Sequence, residues 1–403
     1  MTLPSILDWR TQTGIINGYV RKPRFFTSFF PEANRREHET RLIEMSYVDS
    51  TQVMAPFVKR GSEAFKISGY GHRTKWLEAP TAKIKFAINP VDYLNKQGPG
   101  EVPVLKVGET AVSESVMRRV ARDAERIREY LDNQLEWMCA QALLGAGVTY
   151  TAGATGAAGS EDTAELGDVF SVDYGRDASA TIALSGADRW LDAAHATLST
   201  GDPVETARTA KLVMSSLVGV IPTLCIMGKN AGGAWQDLTK DDNRLHQALD
   251  TRRLSGAGPI PLGGLVDPDS GAVYEGTMSQ VDFWTLDHTV KIQRADGLYM
   301  VADANGTFTG TTSDPTAAGT DIQLVHPDKA YFVYAGSFAE RWIEYGPIED
   351  LTAVRANQRK QRFFTKTWEQ QDPSVAWTMT ETHPLPVTYR PDTVVEVTVQ
   401  AAA

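Results

Sequence analysis

The sequence predicts an α+β fold on three observations. One long helical pattern runs from Ser113 to Gly145, several short stretches are patterned as strands, and a helix, a buried strand and a helix follow one another after residue 200. The helix is the plainest of these. Val116, Val120, Ala124, Ile127, Leu131, Leu135, Met138 and Ala142 recur in steps of four and three, which keeps one apolar stripe on one face. Arg119 with Asp123 and Arg128 with Asp132 stand four apart and can pair along the surface, at about 0.2 to 0.5 kcal/mol each. Ser113 and Glu114 suit the free amides and positive pole of a helix start, and Gly145 suits a left-handed stop. At 1.5 Å per residue the rod is about 50 Å long, more than one compact domain needs for its own core. It reads as a spar, against the plainer reading of an ordinary amphipathic core helix.

A chain of 403 residues exceeds what one hydrophobic core supports, so two packed subdomains with extended arms are expected. A hydrophobic content of 42% fits a folded protein and is low for a membrane one. No run approaches the roughly 18 apolar residues of a spanning helix, and MTLPSILDWRTQTG lacks the pattern of an export leader, which points to synthesis in the cytosol. Cys139 and Cys225 are the only cysteines, too few for a disulfide framework or a thiolate metal cage. The net charge of −10, with basic residues dispersed among acids, lacks the footprint of a duplex-binding protein.

From the front, Pro4, Gly14, Gly18, Pro23 and Pro31 punctuate an irregular arm that carries an aromatic knot, Phe25, Phe26, Phe29 and Phe30. These rings must be buried, either on their own chain or on a neighbouring subunit. In AFKISGY, Phe65 and Ile67 share one face; in AKIKFAI, Ile84, Phe86 and Ile88 oppose Lys83 and Lys85. Joined by GYGHRTKWLEAPT, the two arms read as a long hairpin, which would be marginal alone in water and would lie on its own protein or on another copy. After the spar comes a small-residue tract, then a strand at Val169 to Tyr174. Asp202, Pro203 and Glu205 open a helix to about Val218 with Ala207, Ala210, Met214 and Leu217 on one face. PTLCIM fits a buried strand, and Ala234 to Leu249 a further helix. Val273 to Phe308 is strand-rich with turn signals at Asp296-Gly297 and Asn305-Gly306. Later strands include AYFVYAGS, ERWIEYGPIED and a C-terminal run in which Val395, Val397 and Val399 alternate.

Motifs for chemistry are scarce. Gly228-Lys229 is followed by Asn230 and preceded by Thr223 where a phosphate loop needs Gly, and no GxGxxG follows a strand. The seven histidines never stand within four residues of one another, and Asp267 and Asp269 fit a turn better than a cation loop. No GxSxG occurs, and Cys139 lies inside the spar pattern, where a nucleophile would be buried. The expectation is a protein that is not an enzyme, with no cofactor and no metal.

The order of arm, hairpin, spar, central α/β part and returning strands resembles the major capsid proteins of tailed bacteriophages, above all the lambda-type major head proteins, known as major capsid protein E. The resemblance is carried by FFTSFF and MAPFVKRG, by VDYGR leading to Trp190, by Leu249 to Arg253 (LDTRR), by Pro327-Asp328, by Tyr345-Gly346-Pro347-Ile348 and by KTWEQQDPSVAWTMTETHPLPVTYRPDTVVEVTV. It implies a fold of the Hong Kong 97 type. The N-terminal arm would be 1–52 and the E-loop hairpin 53–108. The P-domain would be 109–200, with its spine helix at 113–145. The A-domain would be 201–359 with an insertion at 273–323, and the C-terminal strands 360–403 would return to the P-domain.

The function so implied is a head protein that assembles as hexamers and pentamers into an icosahedral shell around double-stranded DNA. An encapsulin-type nanocompartment shell is the alternative, and a soluble α/β hydrolase the reading from another class. The implied partners are further copies of the chain, a portal protein, a separate scaffolding protein, a decoration protein and DNA held without sequence-specific contact, with no membrane. The implied location is the virion, and the host cytoplasm during assembly. Candidate inter-subunit contacts are Phe25, Phe26, Phe29, Phe30, Phe65, Ile67 and Trp76, with Arg252 and Arg253 pairing with acids of a neighbour or merely ending a helix in solvent. Hairpin lysines such as Lys66 and Lys75 are not expected to form covalent crosslinks.

Overall fold

The computed structural model describes residues 13, 24–48, 72–88, 110–151, 169–190, 201–240, 272–278, 280–292, 299–302, 308–336, 340–357, 359–370 and 375–399. The first strands are β1 (Arg35–Glu37), β2 (Leu42–Val48), β3 (His72–Glu78) and β4 (Ala82–Ile88). The long helix α1 (Thr110–Leu144) precedes β5 (Gly147–Thr151), β6 (Val169–Asp173) and β7 (Thr181–Ala183). Then come α2 (Pro203–Val218), β8 (Leu224–Met227) and α3 (Lys229–Lys240). A strand-rich stretch holds β9 (Ala272–Met278), β10 (Val281–Leu286), β11 (Thr289–Val290), β12 (Tyr299–Ala302), β13 (Phe308–Thr312), β14 (Ile322–Gln323), β15 (Lys329–Val333) and β16 (Arg341–Tyr345). The short helix α4 (Leu351–Arg355) leads to β17 (Phe364–Gln370), β18 (Val375–Thr382), β19 (Pro384–Thr388) and β20 (Val394–Thr398).

The chain forms two compact units. The first comprises Met1–Ile43, Glu78–Cys139 and Ile343–Pro386, and the second Glu44–Leu77, Ala140–Trp342 and Val387–Ala403. In the first, β17, β18 and β4 form an antiparallel sheet, and Ala82, Ile84 and Phe86 of β4 pack against Ile127 and Leu131 of α1. The apolar stripe does there what its spacing requires: Ile127, Leu131, Leu135 and Met138 are all buried. Arg128 pairs with Asp132 at 3.0 Å, as the four-residue spacing predicts. Arg119 of the other expected pair is not among the residues whose side chains are described.

In the second unit, a six-stranded sheet runs in the order β7-β20-β15-β8-β10-β9. Its core gathers Trp190, Ala207, Ala210, Met214, Cys225, Met227, Phe283, Phe332, Val395, Val397 and Val399. Helix α2 begins as the sequence requires: the Asp202 side chain accepts from the Val204 amide, Pro203 takes the first turn, and Gly219 closes it at φ 78°. PTLCIM yields β8, buried at every position. Within the 273–323 region, β9 and β10 belong to the six-stranded sheet, while a small separate core of Met300, Ala302 and Ile322, with Val290 and Ile292 packed on it, joins β11, β12 and β14.

Several expectations change. Helix α1 starts at Thr110, so Ser113 lies inside it, and the left-handed residue at its end is Ala146 (φ 55°), not Gly145. The tip assigned to the hairpin contains a strand, β3, which pairs with β2, while β4 pairs with β18; the arm at 64–70 lies outside the described residues. The reason is that HRTKWLE is itself a seven-residue stretch able to pair, and β4 gains an apolar face only against α1. Helix α3 starts at Lys229, five residues earlier than expected, and 241–250 lie outside the described residues. The C-terminal strands divide: β17 and β18 join the first unit, whereas β20 pairs with β15 and β7 inside the second. The turn signals at 296–297 and 305–306 are not among the described residues; the tight hairpin that is described joins β9 to β10 through Gln280 at φ 67°.

Replacing Asp202 with Ala removes the α2 cap and is expected to lower stability by about 1 kcal/mol. Equilibrium urea unfolding of the dispersed subunit, wild type against variant, measures it.

Candidate assembly surfaces

The arm is fixed at one carboxylate. The C-terminal third of α1, LEWMCAQALL, is apolar except for Glu136 and Gln141, with Glu136 its one charged residue, and Leu135 to Ala140 are buried on every face of the helix. A carboxylate in such a place needs donors, and the arm supplies them. Glu136 Oε1 accepts from the Phe26 amide at 2.6 Å, and Oε2 accepts from the Thr27 amide at 2.8 Å and the Thr27 hydroxyl at 2.5 Å. These amides open the 3-10 turn Thr27–Phe29, where no intrahelical acceptor exists for them. Burial pushes the Glu136 carboxyl above its ordinary value, against the pull of these hydrogen bonds and of Arg24.

Around this anchor the four phenyl rings pack on their own chain. Phe25, Phe26, Phe29 and Phe30 are 1%, 0%, 7% and 1% exposed, and Phe25 stands edge-on to Phe26 and Phe29 at 5.2 and 5.6 Å. Of the two placements the sequence leaves open, own chain or neighbour, the rings take the first within this subunit.

Further along the same unit, Glu381 is enclosed by the His383 ring (2.9 Å), the Glu349 amide (3.2 Å) and Lys83 (3.5 Å). Burial alone would raise its pKa; the hydrogen bonds and charges prevail and hold it below the usual carboxylate range. Glu344, 1% exposed, meets the His38 ring at 2.7 Å, which ties the end of β1 to β16. Each of these acids holds strands and turns together.

In the second unit, VDYGR acts as a clasp. Tyr174 is buried, Gly175 turns the chain at φ 74°, and Arg176 donates to the Leu143 and Leu144 carbonyls at 3.0 and 2.8 Å, satisfying the end of α1. Trp190 is fully buried, its indole N–H donating to Thr206. Gly228, in the rejected phosphate-loop pattern, has a packing role. A Cβ there would come within 2.1 Å of the His326 carbonyl, beside Pro327-Asp328.

Among the other candidates, Trp76 stands 62% exposed on β3, next to Lys75, which donates to the Asp173 carbonyl at 2.9 Å. Phe65, Ile67, Arg252 and Arg253 lie outside the described residues. Sequence reasoning missed Glu136, Glu344 and Glu381. Glu136 was discoverable as the lone acid in an apolar run, whereas Glu381 stands in the polar run TMTETH, where an acid does not stand out.

The sequence profile of the family described as phage major capsid protein E matches residues 8–399. The chain belongs to that family. It is therefore a phage capsid structural protein, of a class that is not enzymatic. A crystal structure of an E. coli CFT073 prophage protein assigned as a capsid protein is similar at 16% identity and a TM-score of 0.60, over 97% of this chain and 99% of that one. The capsid protein of the cyanophage Pam1 is similar at 12% identity and 0.46, over 94% and 92%, and that of Ralstonia phage GP4 at 12% and 0.45, over 94% and 92%. No curated protein sequence matches the chain. The fold is the Hong Kong 97-type capsid fold, with its mixed α and β content. The resemblance seen in FFTSFF, VDYGR and the C-terminal run is thus one of family.

Truncating Glu136 to Ala strands three buried donors and is expected to cost about 3 kcal/mol or more. Because the folded chain holds the Glu136 proton more tightly than the unfolded one, this group's share of stability falls as pH rises from the ordinary carboxylate value through the raised one. Urea unfolding of wild type and Glu136→Gln across that interval should show wild type losing ground with rising pH relative to the variant.

Proposed function

We propose that this capsid protein is the major shell subunit of a tailed bacteriophage head. Its copies close into hexamers and pentamers of an icosahedral shell around double-stranded DNA. The single observation that carries this is the family match over residues 8–399, nearly the whole chain, so the shell role belongs to the full fold and not to a grafted module. Closed shells need one surface reused in head-to-tail contacts, and extended elements provide it at small cost to the subunit's own core.

Within that reading, the arm of residues 1–52 is anchored at Glu136, and residues 53–108 are the E-loop, tied to the first unit through β4. Trp76 contacts a neighbour, as do Phe65 and Ile67, and Arg252 and Arg253 pair with acids of an adjacent copy. The chain assembles in the host cytoplasm with a separate scaffolding protein and a portal, accepts a decoration protein at the 273–323 region, and contacts DNA without reading sequence. The net charge of −10 suits a container, because a strongly basic wall would hold DNA and hinder packing and ejection.

Electron microscopy and sedimentation of the protein made with and without its neighbouring phage genes test the proposal. Uniform shells, or rings of six and five, are expected; a monodisperse monomer in every combination overturns it. Trp76→Ala should leave the unfolding midpoint of the dispersed subunit within about 0.5 kcal/mol of wild type, because the ring is exposed, while lowering particle yield.

A further inference from the structure

The sheet β17-β18-β4 has two faces, and only one is spent on α1. Register fixes the other as three rows across the strands: Trp368, Trp377 and Ala87; then Lys366, Met379 and Lys85; then Phe364, Glu381 and Lys83. The third row is covered within the unit, since Ile348 and Ala353 pack on Phe364 and the Glu349 amide meets Glu381. Among the described residues that cover reaches Asp350, whose carboxylate holds Lys366. The first two rows lie past it. Trp368, Trp377 and Met379 are half-buried and Lys85 is exposed, its ammonium 4.1 Å above the Trp377 ring.

We propose that this tryptophan-lysine face is a docking surface for a second copy of the chain, which offers a carboxylate to Lys85 at the centre of the contact. The inference rests on the shell reading above, because it takes copies of the chain as the standing neighbours. Two adjacent indoles beside an aliphatic sulfur and one cation have the composition of a protein-protein hot spot. The charge of the face argues against a polyanion: among the described residues, Lys83 and Lys366 are already matched by Glu381 and Asp350, which leaves Lys85 as the face's net charge. A nucleic acid backbone needs several unmatched cations. A single carboxylate is what one copy of a chain with 50 acids against 40 bases can supply.

The test mixes isotopically light and heavy copies, assembles them with the scaffolding protein, and joins amines to carboxylates with a zero-length carbodiimide. Peptides linking Lys85 of one isotope to an acid of the other are expected, and Lys85→Glu should lower particle yield about tenfold with the unfolding midpoint of the dispersed subunit unchanged. Trp377→Ala should lower yield likewise. Particles that form equally well from Lys85→Glu and Trp377→Ala overturn the surface and leave the shell reading standing, as do Lys85 links confined to one copy or Lys85 shielded only when DNA is present. A wild-type chain that never self-associates overturns both.

Discussion

The Glu136 carboxylate is the constraint on which the first unit depends. An ionisable group buried on all sides of a helix is tolerable only with its oxygens saturated, and the arm's turn supplies the three donors that do so. The requirement runs both ways, because the turn's opening amides have no other acceptor. Once Phe26 and Thr27 are held, the adjoining rings have one place to go, and all four are buried beside α1's unit. The arm is therefore part of the subunit's own core at residues 25–30.

The same logic orders the second unit around polar clasps at the ends of elements. Arg176 satisfies the last carbonyls of α1, Asp202 the first amides of α2, and Glu396 sits between Arg176 and Lys329 while Val395 and Val397 on the opposite face of β20 enter the core. Strand alternation gives β20 an apolar face toward the helices and an ionic face toward Arg176. Burial lowers the pKa of that guanidinium, and Glu396 opposes the shift.

Where periodicity or a cap decides an element, the sequence was readable. The α1 stripe, the Asp202-Pro203 start, β8 and the alternation of Val395, Val397 and Val399 follow from local rules. What depends on partners distant in the chain was not. That β4 pairs with β18 nearly 300 residues later, that β20 crosses into the second unit, and that the Phe26 and Thr27 amides meet a carboxylate 110 and 109 residues away are facts of tertiary pairing. No single window contains them. The same holds for the candidate site: the exposure of Trp76, the burial of the four rings and the setting of Glu381 beside Lys83 and Glu349 all come from residues distant in the chain.

Hydrogen-deuterium exchange on the isolated subunit tests most directly that the arm is held by its own chain. The account predicts that the Phe26 and Thr27 amides exchange as slowly as the buried amides of α1 around Met138, with no second copy present. Exchange at the rate of an unstructured peptide, while α1 stays protected, would contradict it.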